Sequence, residues 1–329
     1  MRLERVAIVG AGAWGTAQAQ AAALAGRDVL MVGRDAAVVS EINTRHTNTN
    51  YLGRLTLSPR IEASTTFNAP ADFVILAAPA QATRVALAAV GGTALADKPV
   101  ILSAKGLERG TLKRQSEILA ELAPDAIPFV LSGPSFAEDV AAGRPTAVTL
   151  AGDDAELTDA LAAALAGPSF RPYAAGDVIG VELAGGLKNV YALACGAVEG
   201  AGLGASARAG LLARAFAELT RIVVAMGGQA STLTGLAGLG DLTLSCTSTQ
   251  SRNYRAGVAL GSGVINAAPE VESAVLVEGV FTAPAAQQLA HRLGIDVPLI
   301  DAVNLLLAGR VHIDQIVAGL MSRPLKREE

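Results

Sequence analysis

The sequence predicts an α/β fold in which a mostly parallel sheet with helices on both faces precedes an all-α domain. Short, unbroken apolar runs such as 73–76 alternate with helical segments over the first half of the chain, and this alternation is typical of a parallel sheet. From Asp177 onward the periodicity is helical for most of the remaining length. We therefore place a domain boundary near Gly176 and expect two domains, at 1–176 and 177–329.

Composition disfavours several classes of protein. Of the 329 residues, 51% are hydrophobic and 17% are charged, which is typical of a folded chain rather than a disordered one. The net charge of −4 and the lack of a long basic run disfavour nucleic acid and anionic membranes as partners. Cys195 and Cys246 stand in no paired metal spacing, so we expect a reduced, cytoplasmic chain without a metal site. Neither a membrane span nor a signal peptide is expected from the hydropathy pattern.

The first strand and turn carry a dinucleotide-binding pattern. An apolar run at 6–9 leads into Gly10, Gly12 and Gly15, which form G-x-G-x-x-G, and an alanine-rich helical segment follows at 17–25. Strand, glycine turn and helix in this order favour a Rossmann-like site over a glycine turn that binds nothing. The glycines permit a tight turn, approach of a pyrophosphate and close packing of helix on strand. The N–H groups at the start of the helix would face the phosphates.

The second strand, 28–32, ends in Gly33-Arg34. Dinucleotide folds that select NAD place an acidic residue at this strand end, whereas an arginine suits the 2′-phosphate of NADP. We therefore expect NADP(H) to be accepted, with a solvated loop arginine as the alternative for Arg34. Asp35 is expected to cap the next helix, and 46–57 is interpreted as an irregular loop near the cofactor or at an interface.

Three further strand ends carry small, polar or basic residues. Pro79 and Lys105 follow apolar runs at 73–76 and 100–103, and Gly133 follows a run at 129–131; last strands are expected at 146–150 and 170–173. Ligands of such sheets bind beyond the carboxyl ends of the strands, so these positions indicate a site. Ser135 and Glu138 fit a capping box with Ser135 as N-cap.

The second domain is predicted to open with a helix over 181–196. Lys188 lies off the apolar face of this helix among mostly small neighbours, and Gly185 and Gly186 imply a close approach by a ligand or another helix. Burial would lower the pKa of this lysine toward neutrality and make it a general acid/base. Taken alone, a surface lysine is the competing interpretation.

Farther along, the chain is predicted to form a long amphipathic helix over 209–226. A glycine-rich run then leads into Asp241, and Arg252-Asn253 offers a charged fork and an amide donor that would suit a phosphate. An ordinary arginine at a helix start is the alternative. Residues 277–279 precede a last predicted helix over 283–293.

Taken together, these segments closely resemble the bacterial-type NAD(P)-dependent glycerol-3-phosphate dehydrogenases. The matching motifs run in family order through nearly the whole chain: GAGAWGT at 10–16, SAKGL at 103–107, LSGPSFAEDVAAGRPTA at 131–147, ELAGGLKNV at 182–190, TGLAGLGDL at 234–242, TSTQSRNYRAG at 247–257 and VEG at 277–279. One departure is Tyr51-Leu52-Gly53, where family members usually have a proline before the glycine; it leaves the shape of this loop open.

The resemblance implies a role for each matching position. The implied catalytic residues are Lys188, which exchanges the proton, Lys105 and Asp241. The implied substrate contacts are Lys105, Gly133, Ser135, Lys188, Asp241, Ser251, Arg252 and Asn253. The implied cofactor contacts are Gly10, Gly12, Ala13, Trp14, Gly15, Arg34, Lys105, Ala137, Arg252, Leu276 and Glu278. The resemblance also implies a homodimer.

The reaction implied is the reversible reduction of dihydroxyacetone phosphate to sn-glycerol 3-phosphate with NADPH or NADH, which supplies the glycerophospholipid backbone. Two alternatives stay open at this point. One is a dehydrogenase of a 3-hydroxyacid with the same two-domain plan, which would not need Arg252-Asn253. The other is a non-catalytic NADP(H)-binding sensor. A histidine-dependent dehydrogenase is disfavoured, because none of the three histidines lies at a strand end or in a site motif.

Overall fold

The computed structural model describes residues 3–68, 70–264 and 277–324. Its centre is an eight-stranded sheet in the order β3-β2-β1-β4-β5-β6-β7-β8. The strands are β1 (Arg5–Val9), β2 (Asp28–Val32), β3 (Ile61–Ser64), β4 (Phe73–Leu76), β5 (Pro99–Leu102), β6 (Ile127–Ser132), β7 (Thr146–Ala151) and β8 (Phe170–Ala175). All pairs are parallel except β6 with β7. The predicted mostly parallel sheet is confirmed.

Helices cover both faces of the sheet. Those of the first half are α1 (Ala13–Leu24), α2 (Ala36–Arg45), α3 (Thr49–Leu52), α4 (Thr83–Val90), α5 (Gln115–Leu122), α6 (Ala137–Ala141) and α7 (Ala155–Leu165). Alternate residues of β1 point to opposite faces, so Val6 and Ile8 join one buried cluster while Ala7 and Val9 join another. This two-sided burial explains why the central strands read as unbroken apolar runs.

Helices make up the second half of the chain as described. They are α8 (Val178–Gly200), α9 (Ala205–Ala225), α10 (Ala230–Leu233), α11 (Asp241–Thr247), α12 (Arg252–Gly261), α13 (Glu278–Arg292), α14 (Pro298–Leu307) and α15 (Ile313–Met321). They surround α8, which is buried along nearly its whole length. By length and hydropathy α8 could cross a membrane, but 94% of its most apolar window is buried inside the protein, which is typical of a core helix.

The contact between α8 and α12 is backbone against backbone. A Cβ atom on Gly196 or Gly200 of α8 would lie 2.1 Å from a carbonyl oxygen of α12. A Cβ atom on Gly257 or Gly261 of α12 would lie 2.1 or 2.0 Å from a carbonyl oxygen of α8. Four glycines therefore let the two helices approach more closely than any side chain would allow.

Some local predictions were wrong. The N-cap of α6 is Phe136, not Ser135; the Ser135 hydroxyl instead donates to the carbonyl oxygen of Gly133 at 2.9 Å, so no capping box forms with Glu138. The last predicted helix begins earlier, at Glu278.

The stretch 46–57 contains the short helix α3, and β3 was not predicted at all. Asp35 does cap α2, accepting from the backbone N–H of Ala37 at 2.8 Å. The domain boundary stays a prediction; α8 begins two residues after Gly176, with Asp177 as its N-cap.

Candidate active site

The glycine turn between β1 and α1 is shaped by close backbone contacts. Gly10 has φ +119°, a conformation that favours glycine, and a Cβ atom there would lie 2.9 Å from the backbone of Ala77. A Cβ atom on Gly15 would lie 1.9 Å from the carbonyl oxygen of Gly10. These two glycines are therefore required by the fold of the turn itself.

Gly12, by contrast, faces open space. A Cβ atom on it would meet nothing within 4 Å, and it precedes α1 without any side-chain cap and without an acidic residue in the first turn. The first N–H groups of α1 therefore face no capping side chain and can bind an anion. The residues present therefore fit the pyrophosphate of a dinucleotide.

Two predicted cofactor contacts lie beside this turn. Trp14 and Ala137 are both half-buried and pack against the same hydrophobic cluster on one face of the sheet. Asn48, fully buried, donates to the carbonyl oxygen of Ala11 at 3.0 Å and to the hydroxyl of Thr16 at 2.8 Å. The stretch 46–57 is thereby tied to the glycine turn, although the sequence pattern did not single out Asn48.

Arg34 is exposed immediately beyond the end of β2. Gly33 before it is packed tightly, since a Cβ atom there would lie 2.7 Å from the Cβ atom of Ala11 in the glycine turn. Arg34 therefore follows a residue that packs on the glycine turn, and its side chain is exposed to solvent. This placement suits the 2′-phosphate of NADP, and the contact stays a prediction.

Lys188, Lys105 and Asp241, which are far apart in the sequence, meet around one carboxylate. Lys188 of α8 donates to Oδ1 of Asp241, and Lys105, which follows β5, donates to Oδ2 at 2.7 Å. Asp241 is fully buried at the start of α11, directly after a π-helical segment over Leu236–Gly240. Lys188 is 6% exposed, so the surface-lysine interpretation was wrong.

The environment of Lys188 brings its pKa close to neutrality. Burial is the largest cause and lowers the pKa from its ordinary value to about 7, although the charge of Asp241 opposes this effect. The charge of Lys105 lowers it further. A buried amine with a pKa near 7 can both give and take a proton at physiological pH, which is the requirement for a general acid/base.

The loop after β6 meets the same cluster. Lys105 donates to the carbonyl oxygen of Gly133 at 3.4 Å, and the Ser135 hydroxyl donates to that oxygen as well. Ser132 at the end of β6 is 2% exposed, and its hydroxyl lies 3.5 Å from Oδ2 of Asp241. The structure therefore places the predicted substrate contacts Gly133 and Ser135 beside Lys105.

A chain of amide groups connects α8 with the beginning of α12. Asn189 donates to the carbonyl oxygen of Lys105 at 3.4 Å, and its own Oδ1 accepts from Asn253 at 2.9 Å. Asn253 in turn accepts from the backbone N–H of Gly279 at 2.8 Å. Sequence reasoning missed Asn189 and Ser132, although both stand in quoted motifs, next to Lys188 and Gly133.

The predicted phosphate clamp is divided between exposed and buried groups. Arg252 is exposed at the first position of α12, whereas Asn253 is buried. The hydroxyl of Ser251 caps α12 by accepting from the N–H of Tyr254 at 3.2 Å. Asn253 keeps one amide N–H beyond the one that it donates to Asn189, so Arg252 would supply most of the donors to an anion.

Glu278, the first residue of α13, lies near the loop that follows β5, since a Cβ atom on Gly106 would be 3.7 Å from its Oε2. Its Oε1 accepts weakly from the backbone N–H of Ala80 at 3.4 Å, while Oε2 is buried without a partner among the described residues. Burial is the main cause that raises the pKa of Glu278 to about 7, against the hydrogen bond from Ala80 and the charge of Arg252. An unpaired buried oxygen fits a group that receives a hydrogen bond from a bound ligand. Leu276, the remaining predicted contact, lies outside the described residues.

The chain combines a glycine turn at the carboxyl edge of a mostly parallel sheet with a buried lysine from its helical second half. This combination is typical of oxidoreductases that use a nicotinamide dinucleotide. No cluster of His, Cys, Asp or Glu within 3–68, 70–264 and 277–324 could hold a metal ion.

The chain belongs to the NAD-dependent glycerol-3-phosphate dehydrogenase family. The family model of the N-terminal part matches residues 5–158, and that of the C-terminal part matches 177–318. Proteins named glycerol-3-phosphate dehydrogenase [NAD(P)+] from Caulobacter vibrioides and Brucella canis are 48% and 49% identical, over 100% and 99% of both chains.

A solved structure leads to the same family. The crystal structure of glycerol-3-phosphate dehydrogenase from Coxiella burnetii is 34% identical with a TM-score of 0.89, and the match covers 97% of this chain and 99% of that one. The protein is thus an NAD(P)-dependent oxidoreductase of this family.

Proposed function

We propose that the protein reduces dihydroxyacetone phosphate reversibly to sn-glycerol 3-phosphate, with NADPH or NADH as the reductant. The observation that carries this proposal is the buried Lys188–Asp241–Lys105 cluster, which joins two residues of the helical second half of the chain to a lysine at the carboxyl end of β5. The names of the relatives support this substrate rather than a 3-hydroxyacid, and they support an enzyme rather than a sensor.

The bound nicotinamide would supply the hydride to C2 of the substrate. The C2 oxygen, on which negative charge develops, takes the proton of Lys188, whose pKa of about 7 suits this transfer at neutral pH. Lys105, held by Asp241 and Gly133, stabilises the same charge through its ammonium group. In the direction of oxidation, neutral Lys188 accepts the hydroxyl proton.

The phosphate of the substrate is bound by Arg252, with the remaining N–H of Asn253 as a second donor. A charged guanidinium and an amide at the beginning of α12 would hold the phosphate near the helix N-terminus. Fixing the phosphate orients the carbonyl toward Lys188, so binding energy at one end of the substrate lowers the barrier at the other.

Three further properties belong to this proposal. NADPH is preferred over NADH, because Arg34 stands where NAD-selective folds have an acidic residue. The protein works as a homodimer. It acts in the cytoplasm, where its two buried, unpaired cysteines stay reduced and its product supplies the glycerophospholipid backbone.

The test is the rate of NADPH oxidation at 340 nm with dihydroxyacetone phosphate, for the wild type and two lysine variants. Lys188→Met removes the amine from a buried site, and Lys113→Met removes an amine whose side chain is 38% exposed. We expect Lys188→Met to lose activity by about a hundredfold or more, in line with general acid catalysis, and Lys113→Met to keep it. A folded Lys188→Met variant with wild-type turnover would disprove the role of Lys188, and a wild type inactive on this substrate would disprove the proposed reaction.

A further inference from the structure

Ser132 stands in a sequence motif to which neither the resemblance nor the proposed reaction gives a role. It is the last residue of β6 and is 2% exposed. A hydroxyl buried to this degree needs a hydrogen-bond acceptor. The acceptor within reach is Oδ2 of Asp241, at 3.5 Å.

The opposite side of Ser132 is closed by α8. A Cβ atom on Gly185 would lie 2.4 Å from the Ser132 hydroxyl oxygen and 3.2 Å from its Cβ atom. Only a residue without a side chain at 185 leaves room for this hydroxyl. The space beside Gly185, where the sequence predicted a close approach, is therefore filled by Ser132 of the sheet and not by a ligand.

These contacts give the Asp241 carboxylate three donors of two kinds, two ammonium groups and one hydroxyl. Oδ1 faces Lys188, and Oδ2 faces both Lys105 and Ser132. Lysine ammonium groups sit on flexible stems and accept many geometries. The hydroxyl of Ser132, in contrast, is fixed to a central strand and confined by Gly185, so it is the rigid member of the set.

We propose that Ser132 is a positioning residue that fixes the Oδ2 side of the Asp241 carboxylate, and through it the amine of Lys188. The hydroxyl donates to the carboxylate and, together with the two lysines, stabilises the negative charge of Asp241. Without this donor the carboxylate would attract the Lys188 proton more strongly, since one competing interaction is lost. The consequence for turnover rests on the proposed function, but the consequence for Lys188 does not.

The proposal is tested first on the free enzyme, without cofactor or substrate. The chain has only five lysines, at 98, 105, 113, 188 and 326, so labelling with [ε-13C]lysine gives five signals, and Lys188→Arg identifies the one of interest. The charged or titratable neighbours of Lys188 are Asp241, Lys105 and the thiol of Cys246. All three are unchanged in the variants used.

In Ser132→Ala we expect the titration midpoint of Lys188 to rise by only about half a pH unit, because an O–H···O contact of 3.5 Å is longer than an ordinary hydrogen bond and is therefore weak. The matched control is Ser103→Ala. Ser103 is also 2% exposed and follows the neighbouring strand β5, but its hydroxyl bonds to Gln18 and to the carbonyl oxygen of Leu76. In Ser103→Ala we expect the titration midpoint of Lys188 to equal that of the wild type.

Turnover provides the second readout. The pH profile of glycerol 3-phosphate oxidation should move upward with the Lys188 midpoint in Ser132→Ala, because oxidation requires neutral Lys188. A shift of about half a pH unit reduces kcat about twofold at pH 7 and about threefold at pH 6, and KM should stay unchanged because Ser132 is not among the proposed substrate contacts. A Lys188 midpoint within about 0.1 pH unit of the wild type, or an equal shift in Ser103→Ala, would overturn the proposal. An inactive wild type with the expected shift would overturn only the proposed reaction.

Discussion

Replacing Asp241 by asparagine tests whether one carboxylate holds the two lysines of the site together. Asp241 is fully buried, and each of its oxygens accepts from a lysine. The change leaves two ammonium groups facing a neutral amide. Breaking a buried ion pair from one side costs about 3–5 kcal/mol, because the remaining charge loses its partner but stays out of water. The amide keeps one acceptor oxygen, so we expect the lower end, about 3 kcal/mol of unfolding free energy.

The loss of unfolding free energy in Asp241→Asn should depend on pH. The charge of Asp241 raises the pKa of Lys188, so its removal lowers that pKa further below about 7. A base whose pKa is lower in the folded state binds fewer protons there than in the unfolded chain, and stability then rises with pH. We therefore expect Asp241→Asn to be destabilised more at pH 6 than at pH 9.

Urea unfolding followed by circular dichroism at both pH values measures this effect, which corresponds to a midpoint lower by about 1 M or more at pH 6. Asp28→Asn is the matched control, because Asp28 pairs with Arg60 at the surface with side chains 61% and 54% exposed, and such pairs contribute about 0–1 kcal/mol. If Asp241→Asn loses no more unfolding free energy than Asp28→Asn, or loses the same amount at both pH values, the Asp241 carboxylate does not hold a buried charged cluster together.

Three other predictions concern the cofactor site and the helical core. Gly12→Ala should weaken NADPH binding about tenfold or more but leave stability unchanged, because its Cβ atom would meet no protein atom within 4 Å and would stand only in the way of the cofactor. Gly15→Ala should lose both binding and stability, because its Cβ atom would clash with the backbone of Gly10. Fluorescence titration measures NADPH binding, and thermal unfolding measures stability. Arg34→Ala should lower the ratio of NADPH to NADH rates about tenfold by removing a charged phosphate contact, and an unchanged ratio would contradict the contact. Glu218 of α9 is buried and accepts from the backbone N–H groups of Leu299 and Ile300 at 3.0 and 3.1 Å. Burial is the largest cause that raises its pKa to about 7, so the folded state holds its proton more tightly and the unfolding free energy should fall by about 3 kcal/mol between pH 4.5 and 7. Glu218→Gln should flatten this dependence of the unfolding free energy on pH. An equally steep dependence in the variant would show that Glu218 is not the group responsible.

The sequence was most informative where residue pattern and burial coincide. The central strands are apolar because helices cover both faces of the sheet, so β1, β4 and β5 were predicted within a residue or two. β3 escaped because it is an edge strand of four residues in which only Ile61 is fully buried, which leaves no apolar run to detect.

Contacts between distant segments could not be read in the same way. The sequence indicated Lys188, Lys105 and Asp241 as separate points, but only the structure shows that they share one carboxylate. Ser135 has the residue types of a capping box around it, yet the carbonyl oxygen of Gly133 is the acceptor that its hydroxyl finds. Local propensity favoured one partner, and the tertiary fold supplied another.

The glycine contact between α8 and α12 has a consequence for the evolution of substrate choice. α8 carries Lys188 and α12 begins at Arg252, the groups proposed to act on the two ends of the substrate. Since carbonyl oxygens of one helix lie against glycines of the other, no change of rotamer can widen the gap between these ends. Room for a longer phosphorylated ketone would therefore not come from moving α8 and α12 apart. Libraries for new substrates should therefore leave the four glycines intact and vary positions in the loops after β5 and β6 other than Lys105, Gly133 and Ser135.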